Sequence, residues 1–480
     1  MLQYVSRNLL DFDARMLLTP GLAESFEVSD GGHTYTFRIR KEAVWQDGSP
    51  VTAADAVFTL RKIVDKSTAT PVIKPLFTEL SFVEAAGEKA FRVRFRRALA
   101  NQELAFVLPL LPEKRFAKKR FVTAPDNRAP FSNGPYRFVS WKPQESIELA
   151  RNERYWGPRG HYDRIVFKIL PENTTAWRAL VEDGLDETGI DQTLKEKGLA
   201  DPRFQACCRL VEYYDLDYNL IFLNNKSPLF SDARVRRALT MLLDRAAIVR
   251  GLYRGSARII SGPWAPDSPA YDAAVTPLPY DPVAAAKLLE EAGWRDTNGN
   301  GTRNREGREL AFDLLVSSGS LIGSQIGEVL AAGARKAGVL VQVRSLEWGA
   351  YVDRLDRGDF EAASGAWSAS SDPNPDPFPL WHSSQVPPEG TNSCFFSSPE
   401  ADRLMVQARF ERDDKKRAEL YHRLHAVFRE QAPAIWVVSA SKKYALRRSV
   451  RGLTTSPLGL FGNWPGSVGW WSGPAQAVTP

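Results

Sequence analysis

The sequence predicts an α/β protein built from two or three domains. Its 480 residues exceed the roughly 100–200 residues of a typical domain. Strand and helix patterns alternate along the chain. Tyr35, Phe37 and Ile39 alternate with polar residues, and residues 165–169 repeat this period of two ahead of a helix predicted over 174–182, an alternation typical of βα units. A hydrophobic fraction of 43% and a charged fraction of 25% exclude a disordered or fibrous chain.

Capping residues mark several helix ends. Thr52, with an acid three residues later, resembles a capping box and predicts a helix that begins after it. Ser231 is predicted to cap a second helix. Asp281 and Pro282 begin a third, which ends near Gly293. Further elements are predicted as a hairpin over 79–97, a strand over 310–316, and helices over 324–337, 400–410 and 414–430.

The net charge of +6 is a mild excess, concentrated between residues 89 and 120. There Arg92, Arg94 and Arg96 alternate with apolar residues, which predicts a half-buried strand with a charged outer face. The alternative, a nucleic-acid or anionic membrane surface, has no recognition helix or zinc-finger spacing to support it. We therefore expect no nucleic-acid partner. No apolar run approaches the ~20 residues of a membrane-spanning helix.

The common catalytic signatures are absent from the sequence, including G-x-S-x-G, the phosphate-binding loop, G-x-G-x-x-G and H-E-x-x-H. His422 and His425 are spaced to share a metal, but a solvated helix face is the preferred interpretation. One alternative is an enzyme, a glycoside hydrolase with Asp372 and Asp376 as paired carboxylates. A second alternative is a non-transport role, as a degenerate sensor or a chaperone-like binder. We expect no enzyme and no cofactor.

Residues 296–301 resemble the start of a calcium loop, with oxygen-bearing side chains at alternate positions. Position twelve of such a loop is a glutamate, whereas here it is Gly307, so a turn-rich connector is preferred and no metal is expected. Of the three cysteines, Cys207 and Cys208 are adjacent and fit disulfide geometry poorly. Pairing of one of them with Cys394 is left open by the sequence.

A series of motifs runs through the whole chain. The most specific is WQDGSPVTAADAV at 45–57, preceded by LTPGLAESF at 18–26 and YTFRIR at 35–40. Later motifs lie at 133–136, 151–156, 235–239, 292–294, 381–384 and 417–421. In content and order they resemble family 5 of the bacterial extracellular solute-binding proteins. These are the peptide-, oligopeptide- and nickel-binding receptors of ABC importers.

The resemblance implies a two-lobed α/β fold of the periplasmic-binding-protein type II class, with mixed sheets, flanking helices, a hinge cleft and an extra inserted domain. It assigns residues 1–30, 151–227 and 446–480 to a first lobe, 31–150 to the smaller inserted domain, and 228–445 to a second lobe. Family members carry an export signal and an initial strand before the segment at 18–26. We therefore expect the first lobe to be truncated or mis-started at its N-terminus.

The same resemblance implies a receptor that captures di- to oligopeptides and delivers them to a permease and ATPase complex in the inner membrane. The expected protein is a monomer located in the periplasm or tethered outside the cell. The alternative is the same scaffold with a non-peptide ligand, such as a nickel chelate, an opine or an oligosaccharide. Ligand identity, the mode of tethering and the redox state of the cysteines are not determined by the sequence.

Four ligand-binding residues follow from the resemblance. Trp348 and Trp367 match positions that line the cleft in oligopeptide-binding members. An acid that pairs with the peptide ammonium stands three places after the second tryptophan in those members. Here that place holds Ser370, so the predicted acid is Asp372, two positions later. Asp11 matches a further cleft acid. The alternative is that the two tryptophans are ordinary core aromatics and that Asp11 is a turn residue.

Overall fold

The computed structural model describes residues 2–68, 70, 72–119, 124–368, 376–388 and 390–473. It divides the chain into two units: residues 1–213 with 442–480, and residues 214–441. The chain thus passes between the units twice, after Tyr213 and after Ser441. In the part of the chain that the structure describes, no helix is long and apolar enough to cross a membrane.

The first unit is built on small antiparallel sheets. Phe37 and Phe91, on neighbouring strands of a four-stranded sheet, are fully buried and stack at 5.0 Å, so the predicted period of two and the hairpin over 79–97 are confirmed. The strands of the unit, sheet by sheet, are Leu10–Phe12 and Leu18–Pro20; Ala23–Ser29, Thr34–Ile39, Ala90–Phe95 and Leu80–Ala85; Tyr136–Lys142, Ser146–Arg151 and Arg164–Lys168; Glu187–Gly189, Lys442–Arg447 and Cys208–Tyr213; and Val450–Arg451 with Trp471–Ser472.

Helices of the first unit follow the predicted caps in part. The helix Ala53–Val64 begins after Thr52, whose backbone N–H donates to the Asp55 carboxylate at 2.8 Å, as the capping box predicts. The βα-like interpretation of residues 165–182 is wrong in one respect. The strand Arg164–Lys168 pairs antiparallel with its neighbour and belongs to a meander. The other helices are Leu2–Val5, Glu113–Phe116, Asn173–Val181, Gln192–Ala200 and Pro202–Cys207.

Three arginines of the basic segment form ion pairs with neighbouring acids. Arg92 contacts Glu84 at 3.4 Å, Arg94 contacts Asp30 at 2.8 Å, and Arg96 contacts Glu79 at 3.2 Å. All three arginines are substantially exposed, so each pair contributes little to stability.

The second unit is organised around a six-stranded mixed sheet. Its central strand Tyr218–Leu223 is buried on both faces, which explains the unbroken apolar run at residues 220–223. Ile221 and Leu223 pack against one layer of helices, while Leu220 and Phe222 pack against another. The strands, in spatial order, are Ala257–Ile259, Ala434–Ala440, Tyr218–Leu223, Ala362–Trp367, Ala311–Ser317 and Leu340–Leu346, with a separate hairpin of Asn304–Arg305 and Arg308–Glu309.

Helices of the second unit begin close to their predicted caps. Asp281 accepts hydrogen bonds from two backbone N–H groups and caps the predicted helix, and Gly293 follows that helix with a φ of +87°. Asp232, one residue after the predicted Ser231, is the actual cap of the next, because its carboxylate accepts the N–H of Arg234 at 2.8 Å. The helices are Ala233–Leu242, Arg245–Gly251, Pro282–Glu291, Leu321–Arg335, Trp348–Arg357, Phe378–Trp381, Pro399–Phe410 and Asp414–Gln431.

Candidate functional site

The predicted ligand residues are divided between the two units. Asp11 lies in the first unit, whereas Trp348 and Trp367 lie in the second. Asp372 lies outside the described residues. The two regions are therefore described separately, each with the side chains that surround its predicted residues.

Asp11 is a buried, ion-paired carboxylate. It is 7% exposed, and its Oδ2 lies 2.5 Å from Nη1 of Arg7, which is itself 5% exposed. Asn8 donates to the other carboxylate oxygen at 3.1 Å. Burial raises the pKa of Asp11 to about 6, and the opposing effects of Arg7 and Asn8 only partly offset it. Burial likewise lowers the pKa of Arg7.

The turn around this pair requires a glycine. A Cβ atom on Gly21 would lie 2.3 Å from the Asn8 carbonyl oxygen and 2.7 Å from Oδ2 of Asp11. Both distances are shorter than side chains tolerate, so the close packing of the two strands beside Asp11 depends on this residue. The glycine belongs to the LTPGLAESF motif, which gives that motif a structural reason.

Arg7 forms one wall of a cavity. Its guanidinium carbon lies 3.4 Å from the ring centroid of Trp464, and its Nη2 donates to the Pro20 carbonyl at 3.3 Å. The cavity, wholly within the first unit, has a volume of about 500 Å³, within the range of small-ligand sites. It is lined by Arg7, Asp13, Thr19, Pro20, Arg40, Glu42, Tyr155, Trp156, Gly157, Pro158 and Trp464.

The cavity combines cations with aromatic faces. Arg40 lies over the ring of Trp156 at 5.4 Å and donates from Nε to the Gly21 carbonyl at 2.9 Å. Tyr155 is buried, and this raises the pKa of its hydroxyl to about 12, so the hydroxyl is a neutral donor at physiological pH. Guanidinium groups held on aromatic rings favour planar or carboxylate-bearing ligand groups.

The sequence singled out only part of this cavity. Arg40, Tyr155 and Trp156 belong to quoted motifs but were not predicted as site residues, and Trp464 was missed. The cation–aromatic contact between Arg7 and Trp464 joins the two ends of the chain, and nothing local in the sequence indicates it.

In the second unit, Trp348 and Trp367 are connected through one tyrosine. Trp348 begins the helix Trp348–Arg357, is 62% exposed, and stacks on Tyr351 at 5.8 Å with an interplanar angle of 18°. Tyr351 is buried and donates to the Ser364 carbonyl at 2.8 Å. Ser364 lies on the strand that ends at Trp367, so both tryptophans are anchored to the same strand.

Trp367 is only half-buried. Its ring meets Phe222 edge to face at 6.3 Å, and its backbone pairs with Tyr218 on the central strand. It therefore adjoins the hydrophobic core on one side and retains accessible aromatic surface. Trp348 has no comparable core role, because most of its surface faces solvent.

Asp376 is a buried ion-pair partner. Its Oδ2 lies 3.2 Å from Nε of Arg409, and the two side chains are 5% and 4% exposed. The Asp376 Oδ1 accepts the Phe378 N–H at 3.0 Å, and the Arg409 guanidinium lies 4.0 Å from the Phe378 ring centroid. Burial raises the pKa of Asp376, opposed by Arg409. This ion pair fixes the chain at Asp376, and the paired carboxylate does not resemble a free catalytic acid.

His425 does not lie on a solvated helix face, contrary to the prediction from the sequence. It is fully buried, its Nδ1 accepts the N–H of Asp272 at 3.0 Å, and its Nε2 lies 2.9 Å from the Ser261 hydroxyl. Because Nδ1 is an acceptor, the proton resides on Nε2, which donates to Ser261. The histidine thus has no lone pair for abstracting the serine proton. Among the described residues, no group of three or more His, Cys, Asp or Glu side chains is arranged to hold a metal.

Comparison with known proteins identifies the family. The model of the bacterial extracellular solute-binding proteins, family 5 Middle, matches residues 18–388. The chain belongs to family 5 of the bacterial extracellular solute-binding proteins. The resemblance drawn from the motifs is therefore confirmed, and the family consists of extracellular binding proteins rather than enzymes.

Individual family members show the extent of the similarity. The oligopeptide-binding protein AppA of Bacillus subtilis is 28% identical over 455 residues, covering 93% of this chain and 82% of its own. Its structure in complex with a nonapeptide matches with a TM-score of 0.90 and 26% identity, over 98% of this chain and 93% of that chain. The heme-binding protein A of Haemophilus influenzae is 28% identical over 485 residues, covering 95% of this chain and 85% of its own.

A third protein supports the fold alone. NikZ from Campylobacter jejuni, determined in complex with Ni(L-His), is 23% identical with a TM-score of 0.88, over 98% of this chain and 94% of that chain. Together these matches confirm the predicted fold class, the α/β fold of the two-lobed solute-binding proteins.

Proposed function

We propose that this protein is the substrate-binding receptor of an ABC importer for di- to oligopeptides. It captures the peptide in the family's hinge-closing cleft and delivers it to a permease and ATPase complex in the inner membrane. The permease selects the closed, liganded form because its contacts favour that conformation. The receptor acts as a monomer in the periplasm or tethered outside the cell.

The similarity to AppA carries this proposal. The structure of AppA was determined with a nonapeptide. It matches 98% of this chain and 93% of that chain, with a TM-score of 0.90 at 26% identity. Agreement of the backbone over almost the whole chain supports a shared mode of ligand capture. The same similarity supports, as a proposal, the division into a first lobe of residues 1–30, 151–227 and 446–480, an inserted domain of 31–150, and a second lobe of 228–445.

In the second unit, aromatic side chains and an acid would contact the peptide. The exposed face of Trp348 and the accessible part of Trp367 present apolar surface for peptide side chains. Asp372 pairs with the peptide ammonium, since a charge-assisted hydrogen bond is the strongest single contact available to a peptide terminus. The Asp376–Arg409 pair holds the end of the segment that carries Asp372.

In the first unit, we assign ligand contact to the cavity rather than to Asp11 itself. Arg40 and the rings of Trp156 and Trp464 line that cavity, while Asp11 lies behind Arg7. Asp11 then acts through Arg7, by holding the guanidinium against Trp464. A ligand carboxylate or planar group is the chemistry that this wall suits.

The alternative is a non-peptide ligand on the same scaffold, such as a nickel chelate, an opine or an oligosaccharide. One observation favours considering it: a heme-binding relative is 28% identical over 95% of this chain, as similar in sequence as the peptide-binding AppA. Overall identity within the family therefore does not determine the ligand, and the side chains of the cavity must do so.

The ligand is identified by native mass spectrometry on protein purified gently from a rich-medium host, followed by denaturing release. A heterogeneous set of short peptides is expected. Isothermal titration with pools of dipeptides to pentapeptides then gives saturable binding, accompanied by a change in tryptophan fluorescence. A single released non-peptide mass would establish the alternative. Protein that is empty and gives no heat with any peptide pool would contradict the proposal.

A further inference from the structure

The two adjacent cysteines bring their sulfur atoms close together. Cys207 ends the helix Pro202–Cys207 and Cys208 begins the strand Cys208–Tyr213, and their Sγ atoms are 3.0 Å apart. Cys207 is half-buried, whereas Cys208 is 1% exposed. Both are free thiols in the structure, as is Cys394, which lies buried in the second unit.

The backbone holds this arrangement in place. The Cys207 carbonyl accepts the N–H of Arg448 at 2.8 Å, and Cys208 pairs with Arg447 in the antiparallel ladder. The change from helix to strand occurs between the two cysteines, which turns both side chains toward the same side of the chain. Their proximity is thus a consequence of the helix–strand junction.

We propose that Cys207 and Cys208 form a reversible vicinal disulfide when they meet a small-molecule disulfide such as oxidised glutathione. The Cys207 thiolate attacks one sulfur of the oxidant and displaces one thiolate, giving a mixed disulfide. The Cys208 sulfur then attacks Sγ of Cys207 and displaces the second. Two protein thiols are oxidised to one S–S bond, the oxidant is reduced to two thiols, and the two cysteine protons end on those thiols.

The local electrostatics fit this order of attack. The charges of Arg447 and Arg448 act to lower the pKa of Cys208, but they only partly offset the effect of its burial. Burial raises the pKa of Cys208 to about 12, so the more exposed Cys207 is the first nucleophile. Cys208 reacts second, at a sulfur already held 3.0 Å away.

The resulting bond is expected to be labile. Adjacent Cα atoms lie about 3.8 Å apart, shorter than the roughly 4.4–6.8 Å that an unstrained disulfide spans. Strain makes a disulfide easier to reduce, and strained bonds are those that respond to the redox poise of their surroundings. The pair would therefore be a redox-responsive modification site, in contrast to a structural cross-link.

One tryptic peptide reports the reaction. Residues 204–209, bounded by Arg203 and Arg209, contain both cysteines. Folded protein is equilibrated with glutathione buffers of increasing oxidised fraction, alkylated and digested. The expected peptide has lost the mass of two hydrogen atoms and carries no alkyl group, while the free thiols fall from three to one. Added reduced glutathione restores both thiols.

Two variants identify the pair. Cys394→Ser must retain the mass loss, and Cys207→Ser must abolish it. The proposal is overturned if the peptide remains doubly alkylated in every buffer, or if Cys207 stops at a glutathione adduct. A cross-link to the peptide that contains Cys394, or a bond that resists reduced glutathione, would also overturn it.

Discussion

The stability of the first unit is predicted to depend on pH through Asp11. Replacing Asp11 with Asn removes a buried titratable carboxyl whose pKa in the folded protein is raised from 3.8 to about 6. The folded state therefore binds more protons than the unfolded state between these two values. Stability is highest below the unfolded pKa, falls as pH rises toward 6, and is constant above it.

The magnitude follows from the size of the shift. A difference of about 2 pKa units at 1.36 kcal/mol per unit amounts to about 3 kcal/mol, and no discount for solvent is needed since Asp11 is 7% exposed. The wild-type protein should thus lose up to about 3 kcal/mol relative to Asp11→Asn between pH 4 and pH 7. The comparison with the variant removes the contributions of all other titrating groups.

The assay is urea unfolding of both proteins at half-unit pH intervals, followed by tryptophan fluorescence. Asp13→Asn is the control, since the hydrogen bond from the Leu17 N–H lowers the pKa of Asp13. Its difference from wild type must be nearly flat from pH 4 to pH 7 and must have the opposite slope below the unfolded pKa of 3.8, where stability is lost as pH falls. A wild-type minus Asp11→Asn difference that is constant from pH 4 to pH 7 would refute the reasoning.

Three further predictions concern the second unit. Arg409→Met should lower its unfolding free energy by about 3–5 kcal/mol, because the buried carboxylate of Asp376 loses its counter-ion; the double variant with Asp376→Asn should lose less than the sum of the singles in denaturant titrations. Burial lowers the pKa of His425 to about 4, so acidification from pH 6.5 to pH 4 should cost about 3 kcal/mol in wild type and much less in His425→Gln, measured by urea unfolding. Trp348→Ala should keep the thermal midpoint and weaken peptide binding at least tenfold by calorimetry, whereas Trp141→Ala, 43% exposed and outside the candidate site, should leave both unchanged.

Local signals determined the elements that the sequence predicted well. The capping box at Thr52 and the Asp281 and Gly293 signals each depend on residues within about one turn of the helix end that they mark. The one-residue difference between Ser231 and Asp232 shows the limit of such signals. Both residue types cap helices, and the choice depends on which side chain reaches the N–H of Arg234.

The parts that could not be predicted depend on contacts distant in sequence. His425 is buried because residues 261–272 cover its helix, and the helical pattern alone contains no information about that segment. The antiparallel pairing of Arg164–Lys168 is likewise decided by its neighbour strand, since one strand followed by one helix fits either topology. The motif order identified the family, but not the cavity wall made by Arg7 and Trp464.

The two acids that the sequence analysis considered for chemistry, and that the structure describes, each face a buried arginine. Asp11 pairs with Arg7, and Asp376 pairs with Arg409. A peptide ammonium would have to displace a guanidinium at either place, which would leave a buried cation without its counter-ion. Direct recognition of the ammonium is therefore expected at Asp372, and an indirect, positioning effect at Asp11.

Acetylating the peptide N-terminus separates these two roles, since it removes the ammonium and leaves the rest of the ligand unchanged. In wild-type protein, acetylation should weaken binding about ten- to a hundred-fold, the equivalent of one charge-assisted hydrogen bond of roughly 1.5–3 kcal/mol. Asp372→Asn should weaken binding of the free peptide and abolish this discrimination. Asp11→Asn should weaken binding of both peptides by the same factor, because it disturbs Arg7 and not the ammonium. If Asp11→Asn abolished the discrimination while Asp372→Asn preserved it, the two assignments would have to be exchanged.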